Sequence, residues 1–274
     1  MSPTKISVVT PSYNQAQFLE QTVQSVLSQD YPHVEYTVMD GGSTDGSLDI
    51  LRQYSDQITY WKSEQDEGQS DAIAQGFDRS TGEIMGWLNS DDLLLPGALT
   101  AVASFFRDNP GVEAVSGGAY SIDAEGNPLQ RHFGNYTLGV AATYGRLRYY
   151  HMDGVFQPST FWRRAAYDAV GGLDPALKFI LDRDLFLRLA QRQPFGRLPQ
   201  MLACFRIHED CKSSCLQHVR EEESQVFRQR YGVNRYGALV RILLFYRYRL
   251  PSLIRKAWLG ALLNSRYIKL ERVP

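Results

Sequence analysis

The feature that most constrains this chain is an apolar run that stops abruptly on charge. Ile84-Met85-Gly86-Trp87-Leu88 reads as a buried strand. It ends at Asn89-Ser90-Asp91-Asp92, and Leu93-Leu94-Leu95-Pro96 follows at once. Apolar residues on both sides hold Asp91 and Asp92 at a strand end with little freedom to move. Adjacent carboxylates repel each other, and burial adds a desolvation cost. A divalent cation relieves both, since Mg²⁺ or Mn²⁺ takes one or two protein carboxylates and completes its shell with water and substrate phosphate. The plainer alternative is that the pair caps the helix starting near Pro96, because Asp is favoured at helix starts.

The surrounding pattern is that of an α/β protein. Ile6–Thr10, Val34–Met39, Ile58–Trp61 and Val112–Val115 read as strands. Between them, apolar residues recur at helical spacing: Phe18 to Leu27, Leu48 to Tyr54, Gly68 to Phe77 and Ala98 to Phe106. This alternation predicts a mostly parallel central sheet with helices on both faces. Later the pattern changes. A small β-hairpin is expected from Tyr120-Ser121-Ile122-Asp123 through the turn Ala124–Pro128 to Leu129–Phe133, then strands over Phe156–Trp162 and Met201–Ile207, and a helix from Asp182. The length suits one large domain, residues 1–225, with a basic, helical extension, residues 226–274.

Charge is unevenly spread. From Arg230 to the end there are ten Lys/Arg against the single acidic residue Glu271, in a chain whose formal net charge is −1, so the rest of the chain is acidic. Residues 236–263 mix Leu, Ile, Phe and Trp with Arg and Lys, which suits an interfacial helix on an anionic membrane surface. The alternatives are packing on the chain's own domain or a homodimer contact. Nucleic acid is disfavoured as a partner, because the acidic body repels a polyanion. No apolar run approaches the ~18 residues of a membrane span, and the first residues lack a signal-peptide pattern. The expected location is cytoplasmic, peripheral on the inner face of the membrane. Cys204, Cys211 and Cys215 fit a reducing compartment. With His208 and His218 they match no standard zinc spacing, so free thiols are expected.

Ligands of open α/β sheets bind beyond the carboxyl ends of the strands. Three polar clusters end strands here: Thr10-Pro11-Ser12-Tyr13-Asn14, Asp40-Gly41-Gly42-Ser43 and Asn89-Ser90-Asp91-Asp92. Tyr13 could stack on a base, and Asp40 could accept from a base N–H or a ribose hydroxyl. The chain has neither a G-x-G-x-x-G nor a P-loop pattern, so a diphosphate would have to be held by metal.

These segments resemble glycosyltransferase family 2, nucleotide-diphospho-sugar transferases of the GT-A fold. The likeness lies in Val8–Asn14, Asp40–Asp45, Glu64-Gln65-Asp66-Glu67-Gly68-Gln69-Ser70-Asp71-Ala72, Trp87–Asp92 and Leu181-Asp182-Arg183-Asp184-Leu185, in order and at fitting spacing. It implies that Thr10, Pro11, Tyr13 and Asp40 hold the nucleotide base and ribose, while Asp66, Gly68 and Asp71 lie along the nucleotide-sugar. Asn89-Ser90-Asp91 stands where the family has Asp-x-Asp. Asn replaces the first Asp, which leaves Asp91 as the main metal contact and Asp92 as the second. Asp182 takes the catalytic-base position of a Glu-Asp pair in which Leu181 replaces the Glu. The alternative for Asp182 is a helix N-cap, and Asp184 is its neighbour in the same turn. Arg206-Ile207-His208, with Lys212 and Ser213, resembles a segment that reaches back to the diphosphate. His208 is therefore a candidate diphosphate or metal contact, or else an ordinary packed histidine. Gln157-Pro158-Ser159-Thr160 resembles an acceptor-side strand.

The implied activity is inverting, Mn²⁺- or Mg²⁺-dependent transfer from a nucleotide-diphospho-sugar donor. UDP is the first expectation, with GDP and dTDP open. The acceptor is a hydroxyl of a glycan or lipid-linked saccharide, in surface polysaccharide or cell-wall biosynthesis. A sugar hydroxyl is a weak nucleophile and needs a carboxylate to take its proton, and the leaving diphosphate needs a Lewis acid. Two other readings remain. A nucleotidyltransferase would carry a basic, Gly-rich loop after strand one, and Pro11-Ser12-Tyr13-Asn14 has no cation. A non-catalytic nucleotide- or carbohydrate-binding protein has no use for a base at position 182.

Overall fold

The computed structural model describes residues 4–129, 155–209, 211–212 and 217–231, with 246 and 250. The chain alternates as the hydrophobic pattern predicts. β1 (Ile6–Ser12) leads to α1 (Ala16–Leu27), β2 (Val34–Asp40) to α2 (Ser47–Gln53), and β3 (Tyr60–Ser63) to α3 (Gln69–Arg79). β4 (Ile84–Trp87) and a two-residue β5 (Leu93–Leu94) precede α4 (Ala98–Asp108) and the long β6 (Ala114–Ile122). Then come β7 (Thr160–Arg163), α5 (Arg164–Ala169), α6 (Leu181–Arg192), β8 (Gly196–Arg206) and α7 (Gln217–Arg230).

The strands form one sheet in the order β3-β2-β1-β4-β7-β6-β8-β5. β1 runs parallel to both β2 and β4, β2 to β3, and β6 to β8, whereas β7 is antiparallel to both its neighbours and β5 to β8. Strand side chains alternate between faces, and each face has its own core. Val9, Met39, Met85 and Trp162 pack with α3, α5 and α6 on one side. Val8, Val38, Ile84 and Phe161 pack with α1, α2 and α4 on the other. Helices therefore cover both faces. α3 lies so close to the sheet that a Cβ at Gly76 would fall 2.5 Å from Val9 Cγ1.

Several expected boundaries move. β3 starts at Tyr60, because Ile58 closes the turn after α2 by donating its N–H to Tyr54 O. The expected strand from Phe156 begins as a 3₁₀ turn over Gln157–Ser159. Pro158 has no N–H to donate, and the Gln157 side chain bonds Trp87 O, so the strand proper is β7. β5 and α5 have no counterpart in the sequence reading. The hairpin turn is present: Asp123 and Asn127 pair through the backbone, and Leu129 donates to Ser121 O. Most of its return strand lies outside the described residues. So does nearly all of the basic segment 236–263, together with Ser213 and Cys215. Position 226 falls inside α7, whose Phe227 is buried in the first core. Among the described residues no helix is long and apolar enough to cross a membrane. Cys204 and Cys211 are buried, and burial pushes the Cys204 thiol up to about 12.

Candidate active site

β1 is flanked by β2 on one side and β4 on the other, so the strand order reverses there. A crevice at the carboxyl ends of such strands is the expected binding position. The three polar clusters converge on this edge.

The carboxylate loop leaves β4 as Leu88 donates to Val9 O. Its two aspartates then part company. Asp92 is fully buried; its Oδ1 accepts from Arg206 N (2.9 Å) and its Oδ2 from Asn89 Nδ2 (3.2 Å). Burial, and then the charge of Asp91, push its carboxyl well above the usual range. Asp91 is more open, and its Oδ2 lies 3.1 Å from His208 Nε2. His208 in turn packs against Phe18, with ring centroids 4.7 Å apart. The predicted set Asp91, Asp92 and His208 is thus brought together, but Asp92 turns inward. Among the described residues no cluster of three His, Cys, Asp or Glu is arranged around a metal position. The remaining pair, one carboxylate oxygen and one imidazole nitrogen already in contact, fits a cation that takes its other ligands from diphosphate and water.

Arg206 holds this loop from behind. Its side chain is buried over the Phe18 ring, and its guanidinium donates to Asp91 O, Asp123 O, Ala124 O and Gln21 Oε1. Four of its five N–H groups are thus committed within the protein, which makes it a pin for the loop.

Asp182 sits in the first turn of α6, where Ile180, not Asp182, is the N-cap. Its Oδ1 accepts from Arg183 N at 2.7 Å, and burial raises its pKa from the usual 3.8. Asp184 points elsewhere. It is buried and bonded to Arg188, Arg230 and the Tyr231 hydroxyl, which makes it a fastener between α6 and α7. The segment leading into α6 is fixed by Glu223 of α7, which accepts the N–H groups of Lys178, Phe179 and Ile180 at 2.6, 2.9 and 2.9 Å. Lys212 lies near enough for Asp182 and Glu223 to favour its charged form, but burial dominates and lowers its pKa to about 8.

At the proposed nucleotide edge, the expected residues divide. Tyr13 is 62% exposed beyond β1, free to cover a base. Pro11 is buried, and buried Thr10 accepts from the Tyr36 hydroxyl, so both are fixed within the strand end. Asp40 is held by its own turn and its neighbour: its Oδ2 accepts from Gly42 N, Ser43 N and Ser63 Oγ, and its Oδ1 from Ser43 Oγ. A shallow cleft opens beside it, lined by Met39, Asp40, Lys62, Glu64, Gln65, Asp66, Ala72 and Gln75. Asp66 and Asp71 organise its rim by accepting from Gly68 N and Glu67 N. Gly68, at φ 115°, makes the turn into α3.

One arrangement had no signal in the sequence. Lys212, Gln69, Asn89 and Gln157 form a hydrogen-bonded chain whose members come from four separate segments. Local periodicity cannot report contacts of this kind.

The glycosyl transferase family 2 model matches residues 7–171. A putative teichuronic acid biosynthesis glycosyltransferase of Bacillus subtilis, TuaG, is 35% identical over 130 residues, 46% of this chain and 51% of that protein. The chain thus spans about half the length of this relative. Among solved structures, S. aureus TarS 1–349 with UDP-GlcNAc superposes with a TM-score of 0.63 at 20% identity, covering 77% of this chain and 61% of TarS. The mannosyltransferase PcManGT of Pyrobaculum calidifontis, with GDP-Man and Mn²⁺, superposes with a TM-score of 0.64 at 18% identity, covering 98% of this chain and 77% of that one. These likenesses show a shared GT-A-like fold. With the family model spanning more than half of its length, the chain belongs to glycosyl transferase family 2.

Proposed function

We propose that this protein is an inverting, metal-assisted glycosyltransferase, moving a sugar from a nucleotide-diphospho-sugar to a saccharide hydroxyl in surface polysaccharide or cell-wall synthesis. The observation that carries this reading is the contact of Asp91 with His208 across the fold, with Lys212, near Asp182, tied through Gln69 to Asn89 of the loop that carries Asp91. Asp91 and His208 would hold Mn²⁺ or Mg²⁺, which supplies Lewis-acid stabilisation of a leaving diphosphate when bound. Asp182 takes the proton of the acceptor hydroxyl as it attacks the anomeric carbon. Direct displacement assisted by one base inverts the configuration. Tyr13 and the cleft beside Asp66 receive the nucleoside. UDP is the first donor to test, in keeping with the UDP-GlcNAc bound by TarS; the acceptor class follows the description of TuaG. A lipid-linked acceptor accords with the cationic, apolar composition of 236–263, which would bring the enzyme to an anionic membrane surface.

The test is a calorimetric screen of UDP-, GDP- and dTDP-sugars with and without Mn²⁺. UDP-sugar should bind in a metal-dependent way and be turned over with a saccharide acceptor. If no nucleotide binds with metal present, the reading fails. For the tail, sedimentation with anionic vesicles should be lost on removing residues 236–274.

A further inference from the structure

Asn89 stands where a carboxylate would complete the usual acidic signature, and its surroundings explain why an amide is needed. Its Nδ2 faces two acceptors at 3.2 Å, Asp92 Oδ2 and Gln157 Oε1. Its Oδ1 accepts from Gln69 Nε2 at 2.8 Å, and Gln69 Oε1 accepts from Lys212 Nζ at 2.6 Å. At the other end Gln157 Nε2 donates to Trp87 O at 2.6 Å. The amide orientations follow from the two ends of this chain. A lysine ammonium can only donate and a carbonyl can only accept, so each amide between them can face only one way. A carboxylate at 89 would set an oxygen against two oxygens in a half-buried position.

We propose that Asn89 is a positioning residue, the hub of an amide relay that anchors the Lys212 ammonium through Gln69 and ties the turn at Gln157 to the carboxylate loop. The inference rests on the transferase reading for its consequence but not for its geometry. The relay joins the start of α3, the loop after β4, the turn before β7 and the segment after β8. Through it the cation beside Asp182 and the loop carrying Asp91 keep a fixed relation. Asn89 thus does not weaken a metal signature; it exchanges one ligand for rigidity and for a placed positive charge.

The test uses the full chain and two readouts. The first is acetylation of Lys212 by acetic anhydride, followed by peptide mass spectrometry against exposed Lys178. Asn89→Ala and Gln69→Ala should each raise the Lys212 rate about tenfold, the scale of one charged hydrogen bond. Gln69→Ala keeps the measurement available if the loop variant folds poorly. Unchanged reactivity in both variants overturns the relay, whatever the protein catalyses. The second readout is turnover of UDP-sugar with Mn²⁺. Asn89→Asp, which restores the acidic signature, should lose about tenfold or more, and combined with Lys212→Met it should lose little beyond Lys212→Met alone, because residues in one network are not additive. Turnover equal to or above that of the unaltered protein, or fully multiplicative losses, also overturns the proposal. A changed Lys212 reactivity in a protein that turns over no nucleotide-sugar would leave the relay standing and sink the transferase reading alone.

Discussion

His208 Nε2 lies 3.1 Å from Asp91 Oδ2, across 117 residues of chain. The contact exists because β8 delivers His208 beside the loop after β4, and Phe18 of α1 closes over its ring. Asp91→Asn and His208→Ala should each weaken Mn²⁺-dependent UDP binding at least about tenfold. Calorimetry without metal should show no difference between either variant and the parent. Equal losses with and without Mn²⁺ would place the pair on the nucleotide instead.

Asp182→Asn separates chemistry from stability. Turnover should fall about 10²- to 10⁴-fold, the usual range for a lost general base, with UDP affinity unchanged. The folded pKa of Asp182 is raised, so the folded state holds its proton more tightly than the unfolded state does. Its contribution to stability is present below the usual 3.8 and is lost as pH rises through the raised value. At neutral pH the Asn variant should therefore melt no lower than the parent. The acid limb of the parent's activity profile should lie above 3.8. A variant that melts lower and still turns over would remove Asp182 from the mechanism.

Lys212 gives the opposite sign. Burial lowers its pKa from 10.5 to about 8, so between these values the unfolded state carries a proton that the folded state lacks. Stability then rises with pH across that window. Comparing melting temperatures of the parent and Lys212→Met from pH 8 to 10, the parent should gain relative to the variant. A constant difference would mean that the ammonium is not buried.

Arg206→Ala should destabilise by about 2 kcal/mol or more, since the part-buried carbonyls of Asp91 and Ala124 lose a charged donor. Denaturant unfolding measures this directly. Arg206→Lys should not rescue it, because one ammonium cannot span Asp91, Asp123, Ala124 and Gln21.

Glu223→Ala removes an acceptor for three N–H groups ahead of α6. Hydrogen exchange should quicken at residues 178–180 while β1 and β2 stay protected. Uniform exchange over the whole chain would show that α7 is not a local clamp.

Much of the fold was legible from periodicity alone. The alternation of short apolar strands with amphipathic helices predicts a two-faced sheet, because period 2 and period 3.6 each dictate which side chains must be buried. The strand-end clusters at Thr10, Asp40 and Asn89 were legible for the same reason: polar residues that interrupt apolar runs fall at strand ends. The short β5 was not, since two leucines carry no period, and the turn at Gln157 was hidden by the β-like residues around Pro158.

By itself the sequence determined the layers, the edge on which the polar clusters gather, and the presence of carboxylates at 91, 92 and 182. Only the tertiary structure decided which partners each aspartate takes. Asp92 and Asp40 are drawn into hydrogen bonds with their own loops, with Arg206 and with Ser63, Asp184 is fastened to α7, and Asp91 meets His208. Residue type states what a side chain can bind. Which donors reach it first depends on contacts between segments far apart in the chain, and those are set by how the two cores close.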